Sequence, residues 1–229
     1  PSEYNLSNVK EILIHTEDGE DLLAWYSEPR NNKPIMLYLH GNSFDIGERA
    51  YRIKRYIDQG WGVLLLAWRG YSGNLGKPTE KNLYLDAEAA LKWIKYKLKC
   101  DYDKIIIYGE SLGSGVAVEL CTRYKFKSII LEAPFTSITD IAKKRYFIYP
   151  VKYLILDSFD NYSKIDKIKS PLLIISGKKD EIVPHLHSKK LFSKANQPKE
   201  NLFIDEAIHN NLYDFNIDKD VIRFNNFYD

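Results

Sequence analysis

The chain has 229 residues, 45% hydrophobic and 28% charged, which is enough apolar material for one large core and suits a soluble globular protein. With 33 basic and 31 acidic residues the formal charge is +2, so no global basic field points to nucleic acid. Two cysteines, Cys100 and Cys121, exclude a disulfide framework. With no secretory leader pattern and no apolar run of membrane-spanning length, the expectation is a reducing, cytoplasmic setting.

Residues 9–15 alternate apolar and polar, Asp18-Gly19 supplies a turn, and residues 22–26 are again strand-like, which predicts an antiparallel hairpin at a sheet edge. The pattern then changes to short continuous apolar runs at 35–39, 63–67, 105–108, 128–131 and 172–175. Strands buried on both faces have that composition, so these runs predict a parallel sheet covered by helices on each side. Helical stretches alternate with them at 48–59, 80–98, 112–124, 136–148 and 184–194, the last read as opening on Pro184 in its first turn. Leu202-Phe203-Ile204 predicts a final short strand. The predicted class is α/β: a mostly parallel sheet after an antiparallel start.

One stretch carries chemistry. Ile105-Ile106-Ile107-Tyr108-Gly109-Glu110-Ser111-Leu112-Gly113 has the G-x-S-x-G pattern between a buried strand and a helix. A turn that sharp lifts the serine oxygen out of the sheet and predicts strained backbone angles at Ser111. An unassisted hydroxyl is a poor nucleophile, so the pattern needs a base and a group to orient that base. Ligands of parallel sheets gather at the carboxyl ends of the strands. Just past each run stand His40-Gly41-Asn42, Trp68-Arg69-Gly70, Ser111, Glu132, Asp180 and, after the last strand, His209. His209 is the candidate base and Asp180 the candidate orienting acid, with Glu132 its rival. The backbone N–H groups of Leu112 and Asn42 are the candidate oxyanion donors, with Ser43 the neighbouring possibility for the second. Arg69 reads equally as a structural tie and as a substrate contact.

Taken together, His40-Gly41-Asn42, Arg69-Gly70-Tyr71, Gly109-Glu110-Ser111-Leu112-Gly113, Ala133-Pro134-Phe135-Thr136-Ser137, Asp180-Glu181-Ile182-Val183-Pro184 and His209-Asn210 resemble the small α/β-hydrolase-domain serine hydrolases over most of the chain. The resemblance implies an α/β-hydrolase fold and a triad of Ser111, Asp180 and His209, and where the family has small residues the bulky Phe44 would narrow or line the acyl pocket. The expectation is one domain over residues 1–229 with a short lid-like segment at about 136–160. It would cleave a small-molecule acyl ester or thioester by an acyl-enzyme route, with no metal and no cofactor. A serine peptidase and a non-catalytic binding protein on the same scaffold are the alternatives. No nucleic-acid partner is expected, contact with a membrane surface is not indicated, and oligomeric state is left open.

Overall fold

Each of the continuous apolar runs divides its side chains between two faces, and both faces are covered. The computed structural model describes residues 1–43, 45–145 and 155–228. They build an eight-stranded sheet from β1 (Lys10–His15), β2 (Asp21–Ser27), β3 (Ile35–Leu39), β4 (Gly62–Leu66), β5 (Ile105–Glu110), β6 (Ser128–Glu132), β7 (Leu172–Gly177) and β8 (Lys199–Ile204). Their order is β1-β2-β4-β3-β5-β6-β7-β8. β1 pairs antiparallel with β2, and β2 antiparallel with β4. From β4 to β8 every pairing is parallel.

On one face Met36, Tyr38, Val63, Leu65, Ile106, Tyr108, Leu173 and Ile175 pack against α1 (Ala50–Asp58) and a C-terminal helix, Ile217–Phe227. On the other, Leu37, Leu39, Leu64, Leu66, Ile105, Ile107 and Ile174 meet α2 (Glu80–Lys97), α3 (Leu112–Arg123) and α5 (Leu186–Lys194), with α4 (Ile138–Arg145) lying between α3 and α5 in sequence. The C-terminal helix is therefore α6. Adjacent residues of one strand thus serve different cores, as a two-residue period requires. Each buried leucine or isoleucine contributes about 1.5–3 kcal/mol of transfer free energy, so the central strands are where the sheet's stability is concentrated.

Local sequence explains the helix limits. Thr79 caps α2, its hydroxyl accepting from the Asn82 N–H at 3.3 Å. Leu83, Ala87, Ala90, Leu91 and Ile94 form its buried stripe. Several limits depart from expectation: β8 begins at Lys199 rather than at Leu202, and α4 at Ile138 rather than at Thr136. The predicted helix at 48–59 opens as a 3-10 turn, Ile46–Arg49, before α1 begins at Ala50. α5 begins at Leu186 rather than at Pro184, whose carbonyl accepts from the His187 N–H in the preceding turn. α6 was not expected, although Ile217, Val221 and Phe224 repeat at helical spacing and are buried. Of the lid-like segment, residues 146–154 lie outside the described residues.

Arg69 proves to be a structural tie. Its Nε and Nη2 donate to Asp86 Oδ1 at 2.8 and 2.6 Å, and its Nη1 donates to Asp18 Oδ2 at 2.7 Å. The guanidinium is buried and binds the β1–β2 turn to α2. Among the described residues no helix is long and apolar enough to cross a membrane. The two cysteines are free, Cys121 buried within α3 and Cys100 partly covered beyond the end of α2.

Candidate active site

β5 leads straight into α3, and Ser111 is the residue between them. Its backbone sits at φ 47° and ψ −111°, a strained conformation for a residue with a β-carbon. Glycine is needed beside it because the turn packs backbone on backbone. A Cβ on Gly113 would stand 2.0 Å from the Leu39 carbonyl oxygen, and one on Gly109 would stand 2.7 Å from the Ala117 Cβ. The Ser111 N–H donates to the Glu132 carbonyl at 2.8 Å and fixes the elbow to β6.

The parallel sheet delivers the partners. Asp180 follows β7, and His209 lies in the loop after β8. These two loops are stitched together: the Lys178 N–H donates to the Ile204 carbonyl at 2.8 Å, and the Lys179 N–H to the Ala207 carbonyl at 3.0 Å. His209 Nδ1 lies 2.7 Å from Asp180 Oδ2, and His209 Nε2 lies 3.1 Å from Ser111 Oγ. With the imidazole proton on Nδ1, the ring donates to the carboxylate and accepts from the serine hydroxyl. Asp180 is held in turn by the N–H groups of Ile182 and Val183, which donate to its Oδ1 at 2.9 and 2.8 Å. Its side chain is fully buried, so a single carboxylate orientation is imposed.

The rival acid turns elsewhere. Glu132 accepts from Arg52 Nη1 at 3.1 Å and from the Tyr108 hydroxyl at 2.6 Å. Asp205 pairs with Lys178 at the surface. Among the described residues no set of three histidine, cysteine or carboxylate side chains is gathered to hold a metal.

A cavity of about 660 Å³ opens beside Ser111, lined by Gly41, Asn42, Ser43, Glu48, Arg49, Tyr51, Arg52, Glu110, Ile182, His209 and Asn210. Asn42 and Leu112 have backbone N–H groups with no partner among the described residues. Leu112 opens α3, so its N–H carries the positive end of the helix dipole. The Tyr71 hydroxyl donates to Asn42 Oδ1 and ties that loop to the one after β4. Phe44 lies outside the described residues.

Sequence reasoning passed over a charged layer beneath this cavity. Arg49 Nε donates to Glu110 Oε2 at 3.0 Å, its Nη2 donates to Oε1 at 2.5 Å, and the Tyr38 hydroxyl donates to Oε2 at 3.0 Å. The arginines around Glu110 hold its carboxyl down to about 2 against the opposing effect of burial. Burial pushes Glu132 up instead, because Arg52 does not fully offset its desolvation and the negative Glu110 beside it. His40, buried under the same loop, is held down to about 4 by desolvation and by Arg49. The signal was present: Arg49 and Arg52 are three apart at the start of α1, immediately after the loop carrying Asn42.

The family model for the prolyl oligopeptidase family matches residues 69–209 of the chain. An uncharacterised protein of Mycobacterium tuberculosis is 34% identical over 218 residues, covering 93% of this chain and 78% of its own length. The human alpha/beta hydrolase domain-containing protein 17B is 37% identical over 186 residues, and the match spans 80% of this chain but 62% of that protein. Among solved structures, the Pyrococcus furiosus esterase Pf2001 superposes with a TM-score of 0.79 at 23% identity, over 99% of this chain and 93% of the other. An acetyl xylan esterase from Paenibacillus sp. R4 does so with a TM-score of 0.80 at 18% identity, over 99% and 86%. The fold is that of the α/β-hydrolases, as the motifs imply.

Proposed function

The chain belongs to the prolyl oligopeptidase family within the α/β-hydrolases, and on that premise we propose that it is a serine hydrolase cleaving carboxylic ester or thioester bonds of acyl substrates. The observation that carries this reading is the unbroken hydrogen-bond chain from Ser111 Oγ through His209 to Asp180 at the edge of a cavity.

In this mechanism His209 Nε2 takes the Ser111 proton as Oγ attacks the acyl carbonyl. The carbonyl π electrons move to oxygen, where the Leu112 and Asn42 N–H groups receive the negative charge. As the tetrahedral intermediate collapses, the protonated His209 delivers its proton to the departing alkoxide or thiolate, leaving an acyl-Ser111. Water then attacks the acyl carbon, its proton passing to His209, and the second collapse returns that proton to Ser111 and releases the acid. Asp180 stays ionised throughout, keeping the proton on Nδ1 and stabilising the imidazolium. Residues 1–229 act as one catalytic domain, and no step calls on a metal or organic cofactor.

A second reading, amide rather than ester cleavage, is favoured by one observation, the family name that the chain's own match carries. The test is steady-state turnover of a p-nitrophenyl ester series beside prolyl and non-prolyl peptide amides, in wild type and Ser111→Ala. Ester turnover that disappears in the variant is the expected result. Amide turnover exceeding ester turnover would replace the proposal with the second reading. Turnover unaltered by the substitution would refute the assignment of Ser111.

A further inference from the structure

The cavity beside Ser111 contains a cation that its neighbours do not saturate. Arg52 is 6% exposed and lines the cavity. Its Nη1 is committed to Glu132 Oε1 at 3.1 Å and lies 3.4 Å from Glu110 Oε2, and its Nε donates to the Tyr51 hydroxyl at 3.1 Å. Its Nη2 donates to no described residue. One flat side of the guanidinium lies over the Tyr213 ring, 4.7 Å from the centroid, so the group is clamped in place and its remaining edge is presented in a fixed direction.

A second donor adjoins it. The Tyr51 hydroxyl accepts from Arg52 Nε, so its own proton is free to point into the cavity, which Tyr51 also lines. The acceptors nearby are already engaged. Glu110 takes Arg49 at both oxygens and Tyr38 at one. Glu48, exposed at the rim, takes the Ser43 hydroxyl and Arg49 Nη1. Glu132 lies beneath Arg52 rather than in the cavity, and burial drives it toward its neutral form. What opens on the cavity that Ser111 also lines is thus a pair of donors, one of them cationic and nine-tenths desolvated. A planar anion with two acceptor oxygens is the group that such a pair recognises most strongly.

We propose that Arg52 Nη2 and the Tyr51 hydroxyl form a carboxylate-binding subsite, so that the preferred substrates are esters or thioesters bearing a free carboxylate near the scissile bond rather than neutral acyl chains. This rests on the serine-hydrolase reading for its place in a reaction, but the binding site is defined by the two donors alone.

The experiment separates the two claims. Equilibrium binding to Ser111→Ala is measured for monomethyl glutarate against methyl pentanoate, an acyl-side pair, and for 4-acetoxybutanoate against butyl acetate, a leaving-group-side pair. The acid of at least one pair should bind about tenfold to a hundredfold more tightly than its neutral partner, the effect of two hydrogen bonds to a charged acceptor. Adding Tyr51→Phe, which keeps the ring and removes the donor, should cut that preference several-fold. Arg52→Lys, which keeps the charge but has no second N–H edge, should also reduce it. Equal binding of acid and neutral partner in both pairs overturns the proposal. So does a preference that survives both substitutions, since the carboxylate would then sit elsewhere. Wild-type turnover of the same compounds reports on the catalytic reading independently: esters hydrolysed without preference refute the subsite and leave the serine hydrolase standing. Preferential binding with no turnover does the reverse.

Discussion

Consider Glu110→Gln, which exchanges the buried carboxylate preceding Ser111 for an amide of the same shape. In the native protein this carboxylate is paired with Arg49 at 2.5 and 3.0 Å and lies 3.4 Å from Arg52. Its pKa falls from the ordinary 4.5 to about 2. At about 1.4 kcal/mol per pH unit, that gap corresponds to about 3 kcal/mol of native-state stabilisation. The same figure follows from a second route, since breaking a buried pair by removing one charge costs about 3–5 kcal/mol. The sign fixes the pH window. A carboxyl whose folded pKa lies below its unfolded one stabilises fully above about 4.5, and that contribution is lost as pH falls toward about 2. Glu132, pushed the other way by burial, has the opposite dependence. The quantity to read is therefore wild type minus variant. Urea unfolding should show the variant about 3 kcal/mol less stable at pH 7, with the difference shrinking as pH falls toward 3. A difference that stays flat across that range, or one below about 1 kcal/mol at pH 7, would refute the placement of Glu110 in a paired, desolvated layer.

Asp180→Asn should reduce ester kcat by a factor on the order of 10³–10⁴ with the fold intact, since an amide disfavours the needed imidazole tautomer. Glu132→Gln should affect stability far more than kcat, and the reverse ranking would move the orienting acid to Glu132. Gly113→Ala forces a β-carbon to 2.0 Å from the Leu39 oxygen, so the elbow must open. A loss of about 3 kcal/mol or more, or insolubility, is expected, and a Tm within a degree of wild type would contradict the elbow's packing. His40, held down to about 4 by burial, binds its proton less readily when folded. Its stabilising contribution is full above about 6.5 and drains as pH falls toward 4, by about 3 kcal/mol in all. Unfolding curves at pH 7.5 and 5 on wild type and His40→Gln measure it, and equal losses in both would exclude His40 as the source.

Much of the architecture was legible because central parallel strands must be apolar on both faces, and runs such as Ile105-Ile106-Ile107 have few other uses. Ser111, Asp180 and His209 were legible for a related reason: in a parallel sheet the carboxyl ends of the strands share one edge, so position along the chain becomes position at the site. Helix α6 carried its signal in Ile217, Val221 and Phe224, but Asp218, Lys219, Asp220 and Arg223 between them dilute the apolar pattern. Arg49, Arg52 and Glu110 were hidden for a deeper reason. Each is a charged residue that sequence assigns to the surface, and each is buried only because residues 61 to 80 positions apart neutralise one another. Periodicity says which face of an element turns inward, but not which distant charge waits there. The start of α5 slipped because Asp180 accepts from two successive N–H groups and carries the chain through Pro184 in a turn. The part of the predicted lid at 146–154, like Phe44, lies outside the described residues.

The central claim is that Ser111 is a nucleophile activated by His209. A fluorophosphonate probe tests it directly, because it phosphonylates a serine only where a base removes the proton and an oxyanion site receives the charge. Intact mass should show one adduct per chain, and peptide mapping should place it on Ser111, with labelling abolished in Ser111→Ala and strongly slowed in His209→Gln. An unlabelled native protein, or an adduct on any other residue that persists in Ser111→Ala, would contradict the account.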